Sequence, residues 1–356
     1  MRIASLGRRL HVIETSRKHR RFQEYPPFIN DLLSRQKRSS LTVPMQLDPS
    51  VQKLISRKQP LTSGEFDSGV PQNQFMTAPS RVVIEERIIS NRPSGYVMMR
   101  IFRPADNDTL LAPLIYLPGP NWSTRIPQLH DPLLIELSLR AQLAVLLIDF
   151  SLSPQARFPT ALEECFCVLK WVAENGKQHN LDSSRILVAG DGCGGNLATT
   201  LSILTKKRSG PPISRQILFN PATVAHCNTL SHQEFATGYC FDHADMVRSW
   251  TDYLELPGQY DDILVSPLQA SVEQLQGLPD ALIISAEADI LRDEGEAYAS
   301  RLQAAGVRVT QARFQGTING FVTLNSLAHT AATRGAISLT VQWLREAFPH
   351  PSDRLD

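Results

Sequence analysis

Short aliphatic runs alternate along the chain with longer stretches in which apolar positions recur every three or four residues. The runs lie at 113–117, 144–148, 185–189, 216–219, 281–285 and 307–314. They are too short for helices, and most are apolar without interruption, as in strands covered on both faces. Between them the spacing predicts helices near 128–142, 159–176, 194–207, 293–306 and 328–347. Strand and helix in alternation predict an α/β protein, a mostly parallel sheet with helices on both faces. Upstream, 82–89 and 96–102 read as strands flanking Asn91-Arg-Pro-Ser-Gly, a hairpin-like turn. The stretch from Asp48 opens like a capped helix. Residues 57–79 are polar and hold Pro60, Pro71 and Pro79, so they read as a loop or cover. The alternation breaks at 225–275, where 241–254 looks helical and suits a lid.

Charge divides the chain. Residues 1–40 hold ten Lys or Arg against three acids, a net +7, while the remainder carries −6. The organisation expected is a basic extension over 1–44 and one domain over 45–350, capped by 45–80 and 225–265. A basic, acid-poor start suits a tail or an organelle targeting segment. Without a basic fold behind it, it is no argument for nucleic acid. No stretch approaches the roughly 18 uninterrupted apolar residues of a membrane span. Five irregularly spaced Cys suggest neither a disulfide framework nor a zinc cage, and fit a reducing, cytoplasmic setting. Cys165 and Cys167, two apart on a helix, should point to different sides.

Chemistry in such folds sits beyond the carboxyl ends of the strands. The most informative junction is Ala189-Gly-Asp-Gly-Cys-Gly-Gly-Asn-Leu-Ala, a strand running through glycines into a helix. Its spacing is neither G-x-G-x-x-G nor a Walker motif. A strand, tight turn and helix also make a nucleophile elbow, which needs a reactive side chain at its tip.

Together with Ser153-Pro-Gln-Ala-Arg-Phe-Pro, Val265-Ser-Pro-Leu-Gln-Ala, Asp289-Ile-Leu-Arg-Asp-Glu-Gly and Gly316-Thr-Ile-Asn-Gly-Phe, this junction resembles the hormone-sensitive-lipase-like branch of the α/β hydrolases. That is a family of esterases and lipases, and the likeness runs from about 47 to 348. It implies the α/β-hydrolase fold with a helical cap, and it implies where a catalytic triad would sit. The family's elbow serine falls on Gly192 and its histidine on Asn319, while its acid falls on Asp289. The family's His-Gly-Gly-Gly-Trp oxyanion loop falls on Pro118-Gly119-Pro120-Asn121-Trp122, where Pro120 carries no N–H. The amides of Gly119 and Cys193 remain as donors.

An amide has no useful basicity, so Asn319 cannot activate a nucleophile. Ester hydrolysis of the triad type is therefore not expected. Cys193 offers a nucleophile one residue late, but that shift puts Asp191 where a small residue is needed and leaves no base. His130, after the oxyanion loop, and His329 are candidate bases or, more simply, structural histidines. Asp289 either satisfies itself on Asn319 and backbone amides or acts alone as an acid or base. Two functions stay open. One is a non-hydrolytic catalyst of cyclisation, rearrangement or elimination on a small apolar substrate, held by Gly119, Asn121, Trp122 and His130. The other is a small-molecule receptor. Neither requires a metal or a cofactor, and a homodimer is left open. A decayed, functionless paralogue would have lost core positions, and the apolar patterns here are intact.

Overall fold

A computed structural model describes residues 45–56, 81–91, 95–107, 109–119, 121–126 and 128–347. The expectations for 1–44 and 57–80, and for Pro120, lie outside the described residues.

Eight strands form one sheet in the order β1-β2-β4-β3-β5-β6-β7-β8. They are β1 (Val82–Asn91), β2 (Gly95–Pro104), β3 (Pro113–Leu117), β4 (Ala144–Asp149), β5 (Leu187–Asp191), β6 (Arg215–Phe219), β7 (Asp280–Ala288) and β8 (Val309–Ile318). The first two pair as an antiparallel hairpin and β2 also runs antiparallel to β4. Every pair from β4 through β8 is parallel. Strands β3 and β5 are buried along their whole length, because helices cover both faces.

The covering helices are α2 (Asp131–Ala141), α3 (Thr160–Asn175), α4 (Cys193–Lys207), α8 (Arg292–Ala304) and α9 (Ala331–Ala347). Short α1 (Pro49–Ile55) precedes the sheet, capped by the Asp48 carboxylate, which accepts from the Ser50 amide at 2.7 Å. Cys165 is buried on α3 and Cys167 is partly exposed, as two positions 200° apart on a helix require.

Between β6 and β7 lie α5 (Leu230–Glu234), α6 (His243–Tyr253) and α7 (Val272–Leu275). Helix α6 packs through Trp250 and Tyr253, both essentially buried. Tyr253 stacks on Trp122 with centroids 4.2 Å apart and planes within 3°, and Trp250 tilts against Trp122 at 4.4 Å. These contacts fasten α6 to the loop that follows β3, directly beyond the strand ends. The Tyr253 carbonyl also accepts from the Phe158 amide at 2.8 Å. Among the described residues, no helix is long and apolar enough to cross a membrane.

Candidate functional site

The C-terminal ends of β3, β5, β7 and β8 deliver Gly119, Gly192, Asp289 and Asn319 to the same edge of the sheet. Gly192 stands alone between the last residue of β5 and the first of α4. Its φ of 52° and ψ of −116° belong to a region that side chains rarely adopt. Glycine adopts these angles without the strain a side chain would bring, and the turn is tight. Its amide donates to Phe219 O at 2.9 Å and its carbonyl accepts from Ala222 and Asn196, so β6 and α4 hold the turn from both sides.

Asp289 is buried, and three nitrogen donors converge on it. Oδ1 accepts from the Leu291 amide at 3.0 Å and Oδ2 from Asn220 Nδ2 at 2.7 Å. Asn319 Nδ2 reaches both oxygens, at 3.1 and 3.0 Å. Burial pushes this carboxyl up from 3.8 to about 6, against the pull of those donors. Asn319 thus occupies the place from which an imidazole would be oriented by Asp289. Asn220, at φ 46°, went unnoticed in the sequence, where only its position after β6 pointed to the strand edge.

Asp191 is the second buried carboxylate, and the sequence reading treated it only as a spacer. Its Oδ1 accepts from Tyr116 Oη at 2.8 Å, from the Gly119 amide at 2.9 Å and from His130 Nε2 at 3.0 Å. Burial alone would raise Asp191; the His130 ring, the Gly119 amide and the Tyr116 hydroxyl outweigh it and hold the carboxyl below its usual value. The chain passes so close here that a Cβ on Gly119 would lie 2.6 Å from Asp191 O and Oδ2. The Gly119 amide, expected as an oxyanion donor, is therefore already committed to Asp191.

Cys193 begins α4 with its side chain buried, 1% exposed. Burial, followed by the charges of Asp191 and Glu294, pushes its thiol well above the ordinary range, so the nucleophilic thiolate is suppressed. Two of the ligand contacts expected from the sequence are engaged elsewhere. Trp122 is fully buried in the aromatic stack with Tyr253, and the Asn121 side chain accepts from its own turn, from Ser123 N at 3.1 Å. His329 sits away from the site, its Nε2 3.1 Å from Ser50 Oγ on α1.

A cavity of about 270 Å³ opens beside this edge rather than over Gly192. It lies between the 118–130 loop and the ends of β2 and β4, and it touches the elbow cluster only through Pro118, Gly119 and His130. Gly192, Asp289 and Asn319 are not among its walls. Among the described residues, no group of three or more His, Cys, Asp or Glu is placed to hold a metal ion.

A strand-turn-helix elbow on a mostly parallel sheet, with an acid after β7 and a further polar group after β8, defines an α/β hydrolase. The family profile for the alpha/beta hydrolase fold matches residues 114–323. The chain belongs to this family, in its hormone-sensitive-lipase-like branch. It is 37% identical over 306 residues to a protein of Acanthamoeba polyphaga mimivirus assigned to the α/β hydrolases, covering 84% of this chain and 88% of that one. It is 32% identical over 267 residues to the carboxylesterase NlhH of Mycobacterium tuberculosis, covering 73% and 82%. Among solved structures, a fungal esterase from Rhizomucor miehei superposes with a TM-score of 0.77 at 34% identity, covering 85% of this chain and 97% of the other.

Proposed function

We propose that this chain keeps the esterase scaffold of its family without its acyl-transfer chemistry, and that it works by binding a small molecule. One observation carries the reading: the elbow tip is a glycine, and the residue facing Asp289 is an amide that gives its N–H groups to both carboxylate oxygens. There is no hydroxyl to attack and no basic nitrogen to take its proton. In serine hydrolases, loss of the nucleophile or base alone costs on the order of a million-fold in kcat. A weakened oxyanion loop would cost roughly a further hundred-fold or more. Pro120 has no N–H, and the Gly119 N–H is held by Asp191. Residues 225–265 serve on this reading as the cap of a single domain.

Because the named relatives include esterases, hydrolysis is the test. Purified protein should show no release of nitrophenol from the acetate or butyrate ester above a heat-inactivated control, and no labelling by a fluorophosphonate. Saturable hydrolysis that disappears in Asp289→Ala would defeat the reading.

A second reading, a non-hydrolytic catalyst that moves a proton during cyclisation, rearrangement or elimination, draws on Asp289. A carboxyl held near 6 is tuned for proton transfer at neutral pH. Against it, three nitrogen donors already hydrogen-bond the oxygens of Asp289 that such a step would use. Turnover of a bound ligand, lost in Asp289→Asn, would favour catalysis over binding.

A further inference from the structure

We propose that the ligand site of this chain is the cavity beside the elbow, with His130 as its polar contact, and that it takes a small, neutral, largely apolar molecule carrying one hydroxyl group. The inference rests on the binding reading above and says where the ligand sits and what it is.

The cavity is apolar in the middle, where Met98, Ile126, Leu147, Phe150 and Leu152 form its walls. At about 270 Å³ it is near the lower end of small-molecule pockets. Its wall arginines are both paired. Arg100 holds Asp131 in a two-pronged pair at 2.9 and 2.7 Å, Arg125 is bound to Asp149, and Glu86 adds a further negative charge. An anionic ligand would meet no free guanidinium there and would face the Glu86 carboxylate as well, which favours an uncharged molecule over an anion.

His130 is 4% exposed and is one of the residues lining the cavity. Asp191 is ionised and accepts only, so Nε2 must carry the proton in their 3.0 Å contact. The other ring nitrogen, Nδ1, has no hydrogen-bond partner among the described residues. A ligand hydroxyl, which both donates and accepts, is the group that can complete it. The loop that presents it is itself constrained. Gln128, two residues before His130 and also on the wall, is held at φ 61°, an unusual conformation for a long side chain. The same Asp191 that orients His130 pins the Gly119 amide and the Tyr116 hydroxyl, so the imidazole is fixed before any ligand arrives.

The probes are 2-naphthol, 2-methoxynaphthalene and 2-naphthoate, titrated by calorimetry into the full chain. They share one apolar body and differ in offering a donor, no donor, or a negative charge. The expected result is 2-naphthol binding about tenfold tighter than the methyl ether, the worth of one net hydrogen bond, with the naphthoate weaker still. In His130→Phe the advantage of naphthol over its ether should vanish while the ether's own affinity holds. Thr124→Trp, a filling change on the exposed lip, should abolish both, and Leu152→Trp provides a second filling variant should the first be accommodated outside. If His130→Phe fails to fold, the ¹⁵N shift of His130 Nδ1 in the wild-type protein should move with naphthol and not with the ether.

Equal affinities for naphthol and ether, tighter binding of the naphthoate, binding indifferent to both tryptophans, or no binding of any probe would each overturn the assignment. Ester turnover would instead defeat the binding reading and leave these titrations as they are.

Discussion

Replacing Asp289 by Asn isolates the energetic consequence of keeping a carboxylate in this site without its usual imidazole. The group is buried and its folded value is raised, from 3.8 to about 6. Between those two pH values the folded protein holds a proton that the unfolded chain has released, so folding is favoured on the acid side. That stability is present in full below 3.8 and is lost as pH rises through 6. At about 1.4 kcal/mol per pH unit, the loss amounts to about 3 kcal/mol. No discount for solvent screening applies, because the carboxyl is 1% exposed. An amide cannot titrate. The difference in unfolding free energy between Asp289→Asn and the wild type should therefore move by about 2.4 kcal/mol in the variant's favour between pH 4 and pH 7, the rest of the 3 lying below pH 4. Whatever constant offset the amide brings drops out of that comparison. Urea unfolding at four or five pH values reads it directly. Asp191, held below its usual value, contributes with the opposite sign, stabilising above 3.8 and losing that contribution as pH falls; it is common to both proteins and cancels. A difference that does not change with pH would refute the claim that burial dominates at Asp289.

Gly119→Ala should destabilise by about 1–3 kcal/mol in chemical denaturation, because the new methyl meets a backbone oxygen and a carboxylate oxygen at 2.6 Å. Removing residues 1–40 should leave the melting temperature within a few degrees of the full chain, since that basic segment lacks the periodic apolar positions a core would bury. Gly192→Ser, Asn319→His and Pro120→Gly made together should regain measurable nitrophenyl ester hydrolysis, and each alone should not, because a serine and its base work as a unit. A triple variant that folds and stays silent would mean that the space around the elbow has been rebuilt as well.

The central strands were readable to within a few residues because their aliphatic runs are uninterrupted and buried on both faces. Helix starts were less so. The helix expected from 128 begins at Asp131, and its Asp131-Pro132 opening was the available signal, since proline is tolerated in a helix's first turn and not beyond it. The helix expected from 328 begins at Ala331, after a short turn at Asn325–Leu327. At the site, Asn319 against Asp289 followed from the resemblance, which puts the family's acid and histidine at those two positions. The Asp191 cluster did not. Its partners Tyr116 and His130 stand 75 and 61 residues away, one inside an apolar strand and the other ahead of a helix. Only the three-dimensional approach of β3 to β5 brings them together. Trp122 misled for a related reason: its place after the oxyanion loop suggested a ligand contact, whereas its large apolar surface is worth more stacked on Tyr253.

The elbow itself explains why this arrangement persists. A serine at φ 52° holds a strained backbone that costs on the order of 1–3 kcal/mol and is kept only while catalysis needs it. Glycine adopts the same angles without that cost, and the hydrogen bonds from β6 and α4 then hold the turn unchanged. Asn319 has the same logic. It leaves no buried carboxylate unpaired, since its amide donates to both oxygens of Asp289. On the reading proposed above, glycine at the elbow and an amide beside Asp289 forgo a chemical capacity while the local hydrogen bonds stay satisfied. Simple decay would be expected to reach the supports of the old site as well. Yet Asp289, Asp191 and Tyr116 remain buried with hydrogen-bond partners, and Asp191 holds the Gly119 amide and His130, two residues of the cavity wall. On the binding reading proposed above, these contacts keep Gly119 and His130 in place on the cavity wall.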